Sequence, residues 1–367
     1  MNVRMHLGRA TCLGLLVAVL LGASAPIANA DDSHRVTVMS QNLYQGTELA
    51  NTLAATSQLQ FVLGVAKDYS NVVNTSFPER ADAIASEIAQ AAPTFVGLQE
   101  VAVWRTFPVD ASGNPTGAPT VAYDFEKILL DKLATHGVSY RTAVKHVDFS
   151  VAGVGLFPTG LLGVSLTEQL VILARSDQSF FNAQQAAYAH AITLQTLRGP
   201  VTISSGWVSV DASAHEQTFR FITTHLSSIG PQLLGVQPQQ MQELLAGPVA
   251  TTLPVVIAGD FNTPPASPAP SAYADALSAG FTDEWVAANG AKPGFTAFQV
   301  LPTINNTVSN LSVRIDYILG RGRISPKDVD LVGETPSART PSGLWPSDHA
   351  GLVATLKIRG DSDRDDD

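Results

Sequence analysis

From residue 36 to residue 358 the chain alternates apolar, β-branched segments with amphipathic ones, and no Ser/Gly linker or internal repeat divides them. That alternation limits the fold more than any other feature. The segments "RVTVMSQNL", "TFVGLQ", "EQLVILAR", "GWVSVD", "TFRFITTHL", "LPVVIAGDF", "RIDYIL" and "AGLVATLKI" read as strands. "SFPERADAIASEIAQAAP" reads as a helix, with Ser76 and Glu79 as a capping box, Pro78 in the first turn, Ile84 and Ile88 on one face, and Pro93 as its end. "DFEKILLDKLATHG" reads as another, closed by Gly137, with shorter helices near Gln239 and Ala274. Each sheet in such a chain must bury a face against another layer, which predicts an α/β architecture of stacked sheets flanked by helices.

The two ends follow other rules. Arg4 and Arg9 precede an apolar run from Cys12 to Leu21, and Ala28-Asn29-Ala30 supplies an A-x-A cleavage site before Asp31. This is the pattern of a secretory signal peptide over residues 1–30, too short and wrongly flanked for a membrane span. It predicts export, to the exterior or to the periplasm of a two-membrane bacterium. The only cysteine, Cys12, lies in that segment, so residues 31–358 are expected to fold without disulfides around a large core. Loss of the leader removes two arginines and no acid, taking the net charge from −10 to −12. Such a chain is a poor candidate for broad adhesion to DNA or anionic membranes, although a nuclease could still neutralise phosphate locally with a metal. The C-terminal stretch 359–367, ending "DSDRDDD", reads as an acidic solvated tail.

Polar side chains gather at the strand ends. "VMSQN" ends on Asn42, "VGLQE" on Glu100, "FITTH" on His225, and "VVIAGDFN" on Asp260 and Asn262. "RIDYIL" carries Asp316 within an apolar run, and "SDH" places Asp348 and His349 before the last strand. Strand ends on one edge of an α/β sheet converge on a site. Taken singly, several have plainer readings: Asp260 and Asn262 as turn formers before Thr263-Pro264-Pro265, Glu100 as a cap, His225 as a core histidine. Asp316 is different, because an Asp in an apolar strand needs a partner.

In the order Q-N, L-Q-E, T-H-L, G-D-F-N, R-I-D-Y-I, S-D-H, the motifs resemble the endonuclease/exonuclease/phosphatase superfamily, from about Val36 to Ile358. That group includes deoxyribonuclease I, abasic-site endonucleases, neutral sphingomyelinases and inositol-polyphosphate 5-phosphatases. The resemblance implies a four-layer α/β/β/α sandwich, with the site at one edge of two packed mixed sheets. It implies that Glu100 is the principal Mg²⁺ ligand (Mn²⁺ the alternative), with Asn42 beside it and Asp348 as a further metal or water ligand. Asp260 and Asn262 would orient the attacking water and a phosphate oxygen. His349 would be the required histidine, held by Asp316. His225 would be a second histidine, oriented by Glu168 of "TEQLVILAR", and that pair points to a phosphodiester rather than a monoester. The chemistry suits these residue types: Mg²⁺ takes oxygen ligands and neutralises phosphate charge, and acid–base groups serve water and the leaving alkoxide.

The implied substrate is a phosphodiester of nucleic acid or of a phospholipid. A lipid head-group hydrolase of the phospholipase C or sphingomyelinase type is the rival enzyme, and a non-catalytic binding module is the rival of another class. No stable protein partner and no transmembrane segment in the mature chain are expected. Two segments exceed the compact family pattern: residues 44–75, containing "LQFVLGVAKDYSNVV", and "VDFSVAGVGLFPTGLLGVS", residues 147–165. The second is expected either to pack on the body as a hairpin or to present an apolar surface to lipid.

Overall fold

The structure, a computed structural model, describes residues 35–214, 217–228 and 233–359. The signal-peptide segment and the tail beyond Arg359 lie outside the described residues. The chain begins with β1 (Arg35–Asn42), followed by α1 (Ala50–Leu53), α2 (Gln58–Asn74) and α3 (Phe77–Ala91). Next come β2 (Phe95–Phe107), β3 (Thr120–Asp124), α4 (Phe125–Thr135), and a long hairpin of β4 (Tyr140–Phe157) and β5 (Gly160–Arg175). β6 (Phe180–Ala187), β7 (Ile192–Thr196), β8 (Gly199–Ile203), β9 (Gly206–Ala214) and β10 (Gln217–His225) lead to α5 (Leu233–Ala246). The rest is β11 (Val255–Asp260), α6 (Ala272–Ser278), β12 (Thr282–Asp283), α7 (Glu284–Asn289), β13 (Asp316–Arg321), β14 (Ile324–Val332) and β15 (Gly351–Ile358).

A seven-stranded sheet runs β14-β15-β1-β2-β5-β4, with β3 added to β2, and a six-stranded sheet runs β12-β13-β11-β10-β9-β6. Val36, Val38 and Phe95 of the first pack against Val210, Phe219, Phe221 and Val256 of the second. Gly97 lets the sheets approach there, because a Cβ on it would lie 2.5 Å from Thr223 Oγ1. The outer face of the seven-stranded sheet buries Phe61, Phe77, Ile84, Ile88 and Leu129 of α2, α3 and α4. The outer face of the other buries Met241 and Leu244 of α5 with Ala272 and Ala276 of α6. The result is the four-layer sandwich expected, and each fully buried Phe, Ile or Leu contributes about 1.5–3 kcal/mol to it.

Topology then places the chemistry. β1 pairs in parallel with β2, and β10 in parallel with β11. Parallel neighbours need a crossover, supplied by α1–α3 in one case and α5 in the other. Their C-terminal ends therefore share an edge: Asn42 stands opposite Gln99, and His225 opposite Asp260. β13 runs antiparallel to β11, so its first residue, Asp316, faces Asp260.

Two local expectations change, and an open one is decided. The capping box is absent: Ser76 has a φ of 32° and makes no side-chain cap bond. Glu79 turns away instead and accepts from the backbone N–H and the hydroxyl of Ser342, both at 2.7 Å. Second, the "TFVGLQ" strand does not stop at Glu100. The register of β2 against β5 shifts between Leu98 and Val101, a bulge with Glu100 at φ 54°, and the strand resumes to Phe107. The bulge takes Glu100 out of the ladder and aims it at the sheet edge.

Third, the two long segments pack on each other. Residues 147–165 are the tip of the β4–β5 hairpin, and α2 lies along it. A Cβ on Gly155 would come 3.0 Å from Ala66 N, so glycine permits this contact. Single side chains remain open on the hairpin, such as Val147 and Leu156. Among the described residues no helix is long and apolar enough to cross a membrane.

Candidate active site

The nine residues singled out by the motifs converge on the shared edge of the two sheets. Asn42 bridges them: its Nδ2 donates to Glu100 Oε1 at 3.1 Å and to Asp260 Oδ2 at 3.2 Å. Its Oδ1 faces the other way and accepts from Tyr44 N–H at 2.9 Å. In this arrangement Asn42 orients two carboxylates, and ligation through Oδ1 would require the amide to turn over. The other oxygen of Glu100 accepts from Gln45 N–H at 2.8 Å. Asp260 Oδ1 is held by Asn262 N–H at 2.8 Å, and Asn262, at φ 49°, anchors its own Nδ2 on Leu226 O at 3.0 Å.

Two histidines flank the free side of Asp260. His225 Nε2 lies 3.7 Å and His349 Nε2 3.9 Å from Asp260 Oδ2. Each ring is backed by a second carboxylate. His349 Nδ1 lies 2.8 Å from Asp316 Oδ2, and His225 Nδ1 lies 3.5 Å from Glu168 Oε1. Burial opposes charge on both rings, yet the surrounding acids prevail. For His225 the contacts to Glu168 and Asp260 raise the pKa to about 10. For His349, Asp316 and Asp348 hold it well above the ordinary value. The surrounding acids therefore favour the imidazolium form of both rings. Asp348 accepts from Ser347 Oγ at 3.3 Å, and the same hydroxyl donates to Asn42 O at 2.7 Å, which ties the S-D-H turn to β1.

The acids are under strain from one another. Burial, then Asp316, pushes Asp260 up to about 6; burial, then Glu100, pushes Asp348 up to about 7 against the pull of His349. Asp316 Oδ1 is buried with no hydrogen-bond partner. Such an excess of buried oxygen donors suits a hard divalent cation. Among the described residues, two buried groups bring ligand atoms within 4.8 Å of one another: Asp260, Asp316 and His349, and Asp148, Glu168 and His225. Neither is the set Glu100, Asn42 and Asp348.

Several participants were not singled out in the sequence. Asp148, on β4, is buried beside Glu168 and His225, and neither of its oxygens has a hydrogen-bond partner. Burial and Glu168 raise its pKa well above the usual range. An acid alone in "VDFSVAG" is detectable by the same reasoning that marked Asp316. Glu48 belongs to this electrostatic group although its side chain remains open to solvent. Desolvation of its carboxyl, and after that the charges of Asp348 and Glu100, hold its pKa above the usual range even though the residue is exposed. Arg80 is fully buried on α3 and donates to the carbonyls of Leu43, Tyr44, Thr75 and Pro346, at 2.7–2.9 Å. It stands four residues before Ile84 on the apolar face, a charge within a core stripe.

Comparisons with known proteins bear on the family and the fold. The family model described as "Endonuclease/Exonuclease/phosphatase family" matches residues 39–349. A search of curated proteins returns no match. Among solved structures, a humanized Danio rerio TDP2 is similar at 15% identity, covering 89% of this chain and 100% of its own, with a TM-score of 0.53. Family proteins from Beutenbergia cavernae and Bacteroides thetaiotaomicron are similar at 18% and 16% identity, each covering 89% of this chain and 72% and 98% of their own, both with a TM-score of 0.54. Identities this low bear on the fold alone. The family match across most of the chain, with its motifs converging on one sheet edge, establishes that the protein belongs to the endonuclease/exonuclease/phosphatase family.

Proposed function

We propose that the chain is an exported, Mg²⁺-dependent phosphodiesterase, with Mn²⁺ as a substitute metal. One observation supports this most: Asp260 Oδ2 stands between two imidazoles at 3.7 and 3.9 Å, each ring backed by its own carboxylate. Glu100 and Asp348 would hold the cation, with Asn42 orienting Glu100 through Nδ2, and the cation when bound neutralises charge on the phosphate oxygens. Asp260, fixed through Oδ1 by Asn262 N–H, orients the attacking water and takes its proton. The two imidazolium groups donate to phosphate oxygens, and one returns a proton to the leaving alkoxide. Asp316 and Glu168 fix which ring nitrogen faces the phosphate. The leader-like first thirty residues support export.

Hydrolysis of bis(p-nitrophenyl) phosphate tests this directly. Activity should vanish in chelator, return with Mg²⁺ or Mn²⁺, and fall in Glu100→Gln at every metal concentration. Full activity in excess chelator, or no turnover with either metal, overturns the reading; the latter outcome would leave a binding module on the same fold. A lipid-type substrate gains support from an apolar cavity beside the site.

A further inference from the structure

Next to the polar pocket lies a second, apolar cavity of about 100 Å³. Its walls combine the two segments that exceed the family pattern, through Phe61 and Val65 of α2 and Phe149 of β4, with Leu166 of β5, Ile203 of β8 and Trp104 of β2. Phe149 and Ile203 also line the polar pocket that contains Glu100, Glu168 and His225. Phe149 is the cross-strand partner of Glu168. The apolar cavity and the pocket of Glu100, Glu168 and His225 are thus neighbours across two shared side chains.

We propose that this cavity receives the alkyl chain of a single-chain phosphodiester whose phosphate lies between His225 and His349. The proposal rests on the phosphodiesterase reading and names its substrate class. The wall is mostly apolar, the Arg198 guanidinium at its rim lies over the Phe61 ring at 5.4 Å, and several of its polar groups are committed within the protein. Asp68 accepts from Asn51 Nδ2 and from Thr52 N–H and Oγ1 at 2.6–2.9 Å. Trp104 Nε1 donates to Gln45 O at 2.9 Å, and Thr196 Oγ1 to Gly199 O at 2.7 Å. A nucleobase placed here would find few partners for its edge groups on so apolar a wall, whereas a methylene chain has none to lose. Size points the same way: the cavity is smaller than the ~150 Å³ void that accommodates benzene, so it suits a short run of methylenes.

The chain enters from solution rather than from a bilayer. The hairpin that could have formed a membrane wedge is packed on α2, which covers much of its apolar surface. Without the leader the net charge is −12, and a protein so acidic is also repelled by anionic surfaces.

The test is a series of p-nitrophenyl alkyl phosphodiesters, methyl through octyl, below their micellar concentrations and with metal present. The wild-type kcat/KM should rise about fourfold per methylene buried and level off once the cavity is full. A flat series with the methyl ester turned over overturns the cavity proposal and leaves the phosphodiesterase reading intact. Val201→Trp, which adds a ring to the cavity wall from β8, should bring the octyl-to-methyl ratio towards one. Calorimetric titration with alkylphosphocholines of increasing length needs no turnover, and an affinity independent of length overturns the proposal whatever the hydrolysis shows. Faster turnover of phosphatidylcholine vesicles than of monomeric short-chain lysophosphatidylcholine overturns entry from solution.

Discussion

Arg80→Met is the most informative single change, because one guanidinium ties together three segments that border the site. Its Nη atoms bind the carbonyls of Leu43 and Tyr44, just after Asn42, and that of Pro346, just before Ser347-Asp348-His349. Nε binds Thr75 O at the end of α2. Burial lowers its pKa to about 10, so it remains cationic at neutral pH, steadied by the rings of Phe77 and Tyr44 at 5.1 and 5.5 Å. Methionine fills much of the volume but leaves four buried carbonyls without a donor. At about 1–3 kcal/mol per orphaned group, less what is regained by no longer desolvating a charge, the net loss is about 3–5 kcal/mol. Urea denaturation should show the midpoint falling with an unchanged slope. With the turns after Asn42 and before Asp348 loosened, hydrolysis should drop on the order of 100-fold in protein that is still folded. Arg80→Lys should recover only part of either loss, since one ammonium has three donors for carbonyls on separate segments. An Arg80→Met protein within 1 kcal/mol of wild type and fully active would falsify the claim that this side chain holds the site together.

Other outcomes follow from the same structure. His225→Ala and His349→Ala should each lower kcat on the order of 100-fold or more, and adding Glu168→Ala to His225→Ala should cost little further; additive losses would break the pairing of Glu168 with His225. Away from the site, burial and then Glu334 raise the Glu87 carboxyl to about 8, and both its oxygens lack a hydrogen-bond partner. Its folded pKa exceeds the unfolded one, so the unfolded chain releases the proton first. Stability is full below about pH 4 and declines until about pH 8, by roughly 3 kcal/mol at pH 7. Glu87→Gln should remove that slope and melt higher than wild type at pH 8, and an unchanged pH profile refutes the assignment. Replacing Leu156, Phe157, Leu161 and Leu162 together with Ser should lower the melting temperature markedly, because the hairpin packs on α2. Lost vesicle binding at unchanged stability would show it to be a membrane surface instead.

What could be read without the structure was what depends on near neighbours in the chain. Helices at 77–91 and 125–135 are legible because their apolar stripes and end signals lie within a few residues of each other, and Asp124 does cap the second. The strand ends bearing Asn42, His225, Asp260 and His349 are legible because apolar runs give way to polar residues there. Their convergence is a tertiary event. It depends on which strands are parallel neighbours, and the crossovers through α1–α3 and α5 decide that. Ser76 and Glu79 have the spacing of a capping box, but Ser342, far along the chain, offers Glu79 two donors and wins it. Glu100 looks like the end of a strand until pairing with β5 forces a bulge and carries the strand onward. Arg80 and Asp148 look misplaced in apolar patterns, and only folding supplies the backbone carbonyls around the first and the His225–Glu168 pair beside the second. The apolar cavity had no signature at all, since its walls lie on α2, β2, the β4–β5 hairpin and β8. Periodicity and composition report local preference, whereas a cavity is the space left between elements whose distance apart in sequence says nothing of their distance in the fold.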